Sequence, residues 1–162
     1  MTDVNGNSSI CTANVTIEDT IDPTAICQDL TVQLDAGGNA SITAIDVDFG
    51  SSDYCGIASL IATPTSFSCS NVGSNTVTLT VTDNNGNVSS CTANVTVEDK
   101  VAPEALCQDI TVQLDAGGSA SITAIQIDNG SSDNCSVTGL SVSPATFECS
   151  NVGANTVILT VT

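Results

Sequence analysis

Apolar and polar residues alternate along much of the chain, with a period of two residues. The alternation is clearest in four runs, at residues 30–34, 40–44, 77–81 and 91–97. Because neighbouring side chains of a strand point to opposite faces, this period with many Val and Thr residues indicates half-buried strands. Gly37-Gly38 and Asn85-Gly86 separate neighbouring runs and predict hairpin turns. The pattern predicts an all-β fold without helices.

The pattern recurs at an offset of 80 residues, which carries Cys27 onto Cys107. About two-thirds of the aligned positions are identical, which is typical of an internal structural repeat. CQDLTVQLDAGGNASITAI in the first copy returns as CQDITVQLDAGGSASITAI in the second. Several short strands in each unit predict tandem immunoglobulin-like antiparallel β-sandwiches.

The two ends of the chain are out of phase with this repeat. Residues 1–19 hold only a last strand, residues 20–99 make a complete repeat, and residues 100–162 make a repeat without its last strand. Two explanations remain open at this point. Either the chain is a window on a longer array, or molecules join head to tail by donating residues 1–18 to the next molecule's sheet.

Composition limits the classes of function. The chain has 18 Asp and Glu residues, one basic residue (Lys100), no His and a net charge of -17, which excludes nucleic acid as a partner. No apolar run approaches the ~20 residues that span a bilayer. Without His, a Gly-rich phosphate loop or a reactive-thiol pattern, we expect no enzyme activity.

Eight cysteines in a short chain without His predict disulfides and an oxidising compartment. Spacing leaves three pairings open in the complete repeat. The favoured pairs are Cys27–Cys91 and Cys55–Cys69 and, by equivalence, Cys135–Cys149. Cys11 and Cys107 have a whole repeat between them, whereas a disulfide needs Cα atoms within ~7 Å. We therefore expect Cys11–Cys107 to form between chains, or each to pair with a neighbouring repeat.

Acidic residues concentrate in three segments that lie at one end of an immunoglobulin-like sandwich: the linker before the first strand (residues 18–22), the B–C loop (residues 46–54) and the F–G turn (residues 83–87). Many carboxylates at one end suit a hard cation, and Ca²⁺ is the expected cofactor. The alternative is a tight turn at Asp83 with solvated acids around it. The candidate ligands are Glu18, Asp19, Asp22, Asp46, Asp48, Asp53 and Asp83 in the first repeat, and Glu98, Asp99, Asp128 and Asp133 in the second, with Asp3 from a donated strand.

A set of short motifs resembles the hyalin-type (HYR-like) repeats, and more closely the tandem arrays of Bacteroidetes surface and gliding adhesins. These motifs are Asp22-Pro23 and Ala102-Pro103, SSDYC and SSDNC, a Phe followed by NVG, TVTLTVTDNNGN, and CTANVTVED. The resemblance implies an immunoglobulin-like fold, export to the cell surface and an adhesive or stalk role. Cys69 and Cys149 depart from it, because many hyalin repeats have no cysteine there.

Two kinds of glycosylation signal are present. Asp19-Thr20-Ile21 resembles the O-glycosylation signal of exported Bacteroidetes proteins, with Thr20 as the acceptor. Asn-X-Ser/Thr triplets occur at Asn7, Asn14, Asn39, Asn87 and Asn94. The chain is so rich in Asn and Thr that chance explains most of these triplets.

These observations together favour an extracellular structural repeat unit of a surface adhesin or filament, whose main partner is itself. The alternative is a module that binds carbohydrate or protein, such as surface glycans, through the B–C loop of the first repeat. Tyr54 and Phe49 lie in that loop, and both positions are Asn in the second repeat.

Overall fold

The computed structural model describes residues 2 and 4–162, and most of its regular structure is strand. The strands of the first repeat are β1 (Leu30–Gln33), β2 (Asn39–Ser41), β3 (Ile57–Thr63), β4 (Ser66–Ser68), β5 (Gly73–Asp83) and β6 (Val88–Glu98). Those of the second are β7 (Ser119–Ser121), β8 (Leu140–Ser143), β9 (Thr146–Glu148) and β10 (Ile158–Val161). The all-β prediction is confirmed. Within the described residues, no helix has the length and apolar character needed to cross a membrane.

The largest sheet lies in the first repeat and has the strand order β1-β6-β5-β3. β5 and β6 pair antiparallel across the turn at residues 84–87, as Asn85-Gly86 predicts. β1 pairs with β6 in parallel, with Leu30 opposite Val95, so the expectation of a wholly antiparallel arrangement is wrong at this edge. After β1 the chain crosses to a separate sheet, so β6 reaches β1 running in the same direction.

The turn at Gly37-Gly38 does not join paired strands, which corrects the predicted hairpin. β1 lies in the large sheet, whereas β2 pairs with β4, with Ala40 opposite Phe67. Gly38 has a φ of +74°, and a Cβ on it would lie 2.7 Å from Sγ of Cys69. Both the left-handed backbone and the close approach require glycine here.

Two single-turn helices, α1 (Ala44–Val47) and α2 (Ala124–Ile127), contradict the prediction of a chain without helices. At α1 the backbone N–H and the hydroxyl of Thr43 each donate to the Asp46 carboxylate over 2.7 Å. This cap stabilises the first turn of a helix and ends the strand period before residue 44. Gln126 replaces Asp46 at α2, where its side-chain oxygen accepts the N–H of Thr123.

The core of the first repeat is formed mainly by alternate residues of β5 and β6. The buried members are Val77, Leu79 and Val81 of β5, and Ala93, Val95 and Val97 of β6. Phe67 from β4 and Val47 from α1 pack on the same cluster. Since burying each Val or Leu contributes about 1.5–3 kcal/mol, β6 is a major source of stability. The buried core of the second repeat consists of Ile122, Ile127 and Leu159.

Candidate functional site

The second repeat contains an open groove at the place that β6 fills in the first. In the first repeat β6 lies between β1 and β5. The equivalent segments of the second repeat, residues 107–114 and 151–157, line a cavity of about 830 Å³ together with Ile122, Ile127 and Phe147. The groove therefore lies where a last strand completes the preceding repeat.

Apolar side chains along this groove are more exposed than their equivalents in the first repeat. Ile110 and Val112 are exposed, whereas Leu30 and Val32 of β1 are half-buried. Phe147 is only half-buried, although the equivalent Phe67 is buried. The groove thus presents apolar surface that a further strand would cover.

The sequence of such a strand is present near the start of the chain, in residues 9–18, which we call the N-terminal segment. CTANVT is identical at residues 11–16 and 91–96, yet residues 9–23 form no strand with their own chain. Val15 and Ile17 are 82% and 91% exposed, whereas the equivalent Val95 and Val97 are 0% and 1% exposed. The segment has the composition of a core strand without the burial of one.

One disulfide lies within the first repeat. Cys27 is bonded to Cys91 of β6, with Cα atoms 5.8 Å apart, and this is the pair favoured from the sequence. It fastens β6 to the loop that precedes β1. Among the described residues the thiols of Cys11, Cys55, Cys107 and Cys149 are free and exposed.

The other disulfide joins the two repeats. Cys69 is bonded to Cys135, with Cα atoms 5.4 Å apart, so the structure contradicts the expected pairs Cys55–Cys69 and Cys135–Cys149. The reason is that the loop before Cys135 packs on the Gly37-Gly38 turn. This contact brings Cys135 to Cys69 and leaves Cys55 and Cys149 with free thiols.

We call this contact between repeats the junction: residues 35–38 and Cys69 of the first repeat against residues 133–135 of the second. The Asn134 side-chain amide donates to the carbonyl of Asp35 over 3.0 Å and to Asp99 Oδ1 over 3.3 Å. The Asn134 carbonyl lies 3.5 Å from Sγ of Cys69. The junction therefore combines a covalent bond with hydrogen bonds across the repeat boundary.

The candidate calcium ligands are only partly brought together. Within the described residues, the carboxylates of Asp19 and Asp53 lie with the Cys55 thiol so that their ligand atoms are within 4.8 Å of one another. Asp99, Asp133 and Cys135 form the equivalent group in the second repeat. The Asp99 group lies at the junction with the first repeat, and the Asp19 group occupies the equivalent end of the first repeat.

Three other candidate acids are engaged in local caps and turns. Asp46 caps α1, and hydrogen bonds from Thr43, chiefly from its backbone, lower the pKa of this carboxyl. Asp48 and Asp128 each accept the backbone N–H of the serine three residues later, over 3.0 Å. Hydrogen bonds from that serine lower the pKa of Asp128. These three carboxylates stabilise the conformation of their own loops through local hydrogen bonds.

Asp83 is buried, with 1% of its surface exposed, and holds the β5–β6 turn together. Its Oδ1 accepts the backbone N–H groups of Asn85 and Asn87 over 2.8 Å each, and its Oδ2 accepts the Asn87 side-chain amide over 2.7 Å. Burial alone raises the pKa of Asp83, but hydrogen bonds from Asn87 and the rest of the turn outweigh burial and lower it. The same Asn87 amide donates to the carbonyl of Asp19 over 3.3 Å, which connects the turn to the linker.

The remaining candidate acids are less organised. Glu18 and Asp22 are exposed, and Glu98 pairs with Lys100 over 2.6 Å. Asp3 lies outside the described residues.

Comparison with known families supports the first repeat as a unit. Residues 18–97 match the family model of the HYR domain. That part of the chain is similar to a hyalin-repeat domain, and its limits nearly coincide with those of the complete repeat at residues 20–99. The HYR domain is an extracellular, adhesion-type domain, and the disulfides of this chain fit that location. No curated protein and no solved structure matches the chain.

The candidate glycosylation sites differ in their surroundings. Thr20, Asn7, Asn14 and Asn39 are exposed. Within the HYR domain the Asn87 amide is committed to Asp83, and the Asn94 oxygen accepts the Ser74 hydroxyl. Attachment of a glycan to Asn87 would break the turn contacts, and the amide of Asn39 is likewise committed, since it donates to the Gly37 carbonyl over 2.8 Å. Exposed Thr20 is the better acceptor.

Sequence reasoning missed the junction residues Gly38, Cys69 and Asn134. The spacing of the cysteines gives no signal for this pair, because Cys69 and Cys135 lie 66 residues apart on opposite sides of the repeat boundary.

Proposed function

We propose that this chain is a non-catalytic structural repeat unit of an extracellular surface adhesin or filament, built of immunoglobulin-like sandwiches. The groove of its second repeat receives the last strand of a neighbouring repeat. For the 162-residue chain, that neighbour is the N-terminal segment of a second copy. The observation that carries the proposal is the open groove of about 830 Å³ at the position of β6.

The N-terminal segment fits this groove in register. Leu30 and Val32 pair with Val95 and Val97 in the first repeat, and the equivalent pairs place Val15 opposite Ile110 and Ile17 opposite Val112. Burial of Val15 and Ile17 would contribute about 1.5–3 kcal/mol each. Parallel pairing on one side and antiparallel pairing on the other would also satisfy the backbone groups of an inserted strand.

Polar contacts support the same register. The backbone N–H of Asn94 in β6 donates to the Asp29 carboxylate over 2.7 Å. The equivalent pair in the groove is Asn14 of the inserted strand and Asp109. Cys11 would then lie beside Cys107, as Cys91 lies beside Cys27, so the predicted intermolecular disulfide follows from the register.

The test is sedimentation velocity of the reduced chain over a range of concentrations, comparing Val15→Asp with Val4→Asp. We expect the unmodified chain and Val4→Asp to form concentration-dependent oligomers, because position 4 corresponds to Asn84 in a turn outside β6. Val15→Asp places a charge in the buried register and should remain monomeric. Equal oligomerisation of both variants would refute strand insertion.

Electron microscopy of the oxidised chain gives a second readout. We expect fibres with an axial repeat near two domain lengths, and uniformly short rods would contradict the filament. Calcium binding by the Asp19–Asp53 and Asp99–Asp133 groups is part of this proposal, since each group lies beside a repeat boundary where a divalent cation would reduce carboxylate repulsion.

A second function is favoured by one observation. Tyr54 is fully exposed and Phe49 is 66% exposed in the B–C loop of the first repeat, and exposed aromatic rings are common in surfaces that bind sugars or proteins. A glycan array that compares the chain with Tyr54→Ala tests it. Strong selective binding lost in the variant would support recognition by this loop, and absence of selective binding would exclude glycans as its ligand.

A further inference from the structure

The disulfide between the repeats joins two cysteines whose equivalents are both free. An offset of 80 residues carries Cys69 onto Cys149 and Cys55 onto Cys135. Cys69 and Cys135 are bonded across the junction, whereas Cys55 and Cys149 are exposed thiols. The second repeat therefore carries, around Cys149, the half of a junction that the first repeat supplies around Cys69. The first repeat carries, around Cys55, the half that the second repeat supplies around Cys135.

The surroundings of Cys149 reproduce those of Cys69. Sγ of Cys69 lies 3.8 Å from the carbonyl of Gly38, and Sγ of Cys149 lies 3.7 Å from that of Gly118. The adjoining turns are also alike, because Asp35 and Asp115 each accept the N–H of the glycine two residues later over 2.8 Å. The half of the junction around Cys149 is thus already formed.

The surroundings of Cys55 reproduce those of Cys135. The backbone N–H of Cys55 donates to Asp53 over 2.7 Å, and that of Cys135 donates to Asp133 over 2.9 Å. Tyr54 stands where the second repeat has Asn134, so the two hydrogen bonds of the Asn134 amide, to Asp35 and Asp99, have no amide equivalent there. The contact that Asn134 makes nearest to Cys69 uses its backbone carbonyl, which Tyr54 also has.

Strand insertion would bring these two halves together. In the chain β6 continues through residues 99–101 directly into the second repeat, which docks at the junction. An inserted N-terminal segment continues in the same way through residues 19–21 into the first repeat of its own chain. That repeat would dock on the second repeat of the acceptor with the same geometry.

We propose that Cys149 forms a disulfide with Cys55 of a second copy, at the same boundary where the N-terminal segment of that copy enters the groove. This inference rests on the proposed strand insertion. Together with Cys11–Cys107, the Cys55–Cys149 disulfide would give two covalent bonds at each boundary between copies. These two bonds correspond to Cys27–Cys91 and Cys69–Cys135 at the boundary inside the chain.

The bond forms by thiol–disulfide exchange with an external disulfide such as oxidised glutathione. One thiolate attacks the oxidant and releases one reduced thiol, and the second thiolate then attacks the mixed disulfide and releases another. The two cysteines lose two electrons and two protons, and the oxidant gains them. Oxidation is best performed at mildly alkaline pH, because the thiolate and not the thiol is the attacking species.

The experiment mixes ¹⁵N-labelled and unlabelled chain, oxidises the mixture with glutathione and maps the disulfides by mass spectrometry. Pepsin is the suitable protease, because Phe67 separates Cys55 from Cys69, Phe147 separates Cys135 from Cys149, and low pH suppresses exchange. We expect a Cys55–Cys149 peptide pair in which one half is labelled and the other is not. Pairs with both halves always from one chain, or no such pair, would overturn the inference.

Two double variants separate this inference from the proposed function. Cys11→Ser with Cys107→Ser should still give a ladder of covalent oligomers on non-reducing gels, through Cys55–Cys149. Cys55→Ser with Cys149→Ser should lose the mapped pair but keep the oligomers seen by sedimentation of the reduced protein. Oligomers without the Cys55–Cys149 pair would overturn the inference alone, whereas absence of oligomers in every variant would overturn strand insertion as well.

Discussion

Val95 and Val15 occupy equivalent positions of the repeat, and their replacement by Ala should have very different effects on the monomer. Val95 is 0% exposed in β6, and Val15 is 82% exposed in the N-terminal segment. Val→Ala removes two methyl groups, worth about 0.8 kcal/mol each, and a buried site adds the cost of the cavity. We expect Val95→Ala to destabilise the first repeat by about 2–3 kcal/mol.

For a unit of this size, that loss corresponds to a fall of about 10–20 °C in Tm. Val15→Ala should change monomer stability by less than about 0.5 kcal/mol, as is usual for an exposed side chain. The measurement is thermal unfolding followed by far-UV circular dichroism, since the chain has no Trp, at a concentration where sedimentation shows monomer.

An equal loss in the two variants would refute the reasoning, because it would mean that the N-terminal segment packs on its own chain. At high concentration the prediction changes for Val15→Ala alone. That variant should then weaken assembly, since Val15 would be buried in the groove of a second copy.

Four further outcomes are expected. Gly38→Ala should destabilise the chain more than Gly50→Ala, and only Gly38→Ala should impair formation of the disulfide at Cys69. Both glycines have positive φ, but a Cβ at position 38 would lie 2.7 Å from Cys69 Sγ, whereas a Cβ at position 50 would have no atom within 4 Å. The lowered pKa of Asp83 contributes stability that is present above its usual value of 3.8 and is lost as the pH falls through the lower folded value. The free energy of unfolding should therefore fall more steeply with decreasing pH for the unmodified chain than for Asp83→Asn, and equal slopes would contradict this. Chelation of calcium should lower Tm by several degrees, and an unchanged Tm would contradict the calcium proposal. Glycosylation of Thr20 should raise the intact mass of native material above that of the bare chain.

Local features of the fold were predictable where one short stretch determines them. The alternation at Val77–Val81 and at Cys91–Val97, with Asn85-Gly86 between them, correctly predicts the β5–β6 hairpin. The equally regular alternation at residues 40–44 does not predict a strand of that length, because Asp46 binds Thr43 and begins a helical turn. A period of two residues does not exclude a capping contact three residues away.

Pairings between distant segments were less predictable. Gly37-Gly38 reads as a hairpin turn in the sequence, but the chain there passes from one sheet to another. The disulfide prediction failed at Cys69 for a related reason, since its partner lies in the next repeat and is brought near by contacts of Gly38 and Asn134. The spacing of residues in the sequence predicts contacts between neighbouring segments, whereas the Cys69–Cys135 contact depends on how the two repeats pack against each other.

The parallel pairing of β1 with β6 has a mechanical consequence. The first and last strands of the first repeat lie side by side, so once Cys27–Cys91 is reduced, tension applied through its two ends would load their hydrogen bonds together in shear and not one at a time. While Cys27–Cys91 is intact, the load passes through this disulfide and bypasses the residues between the two cysteines, including β1. At roughly 3.3–3.6 Å per extended residue, the 64-residue separation keeps about 210–230 Å of chain from lengthening under tension.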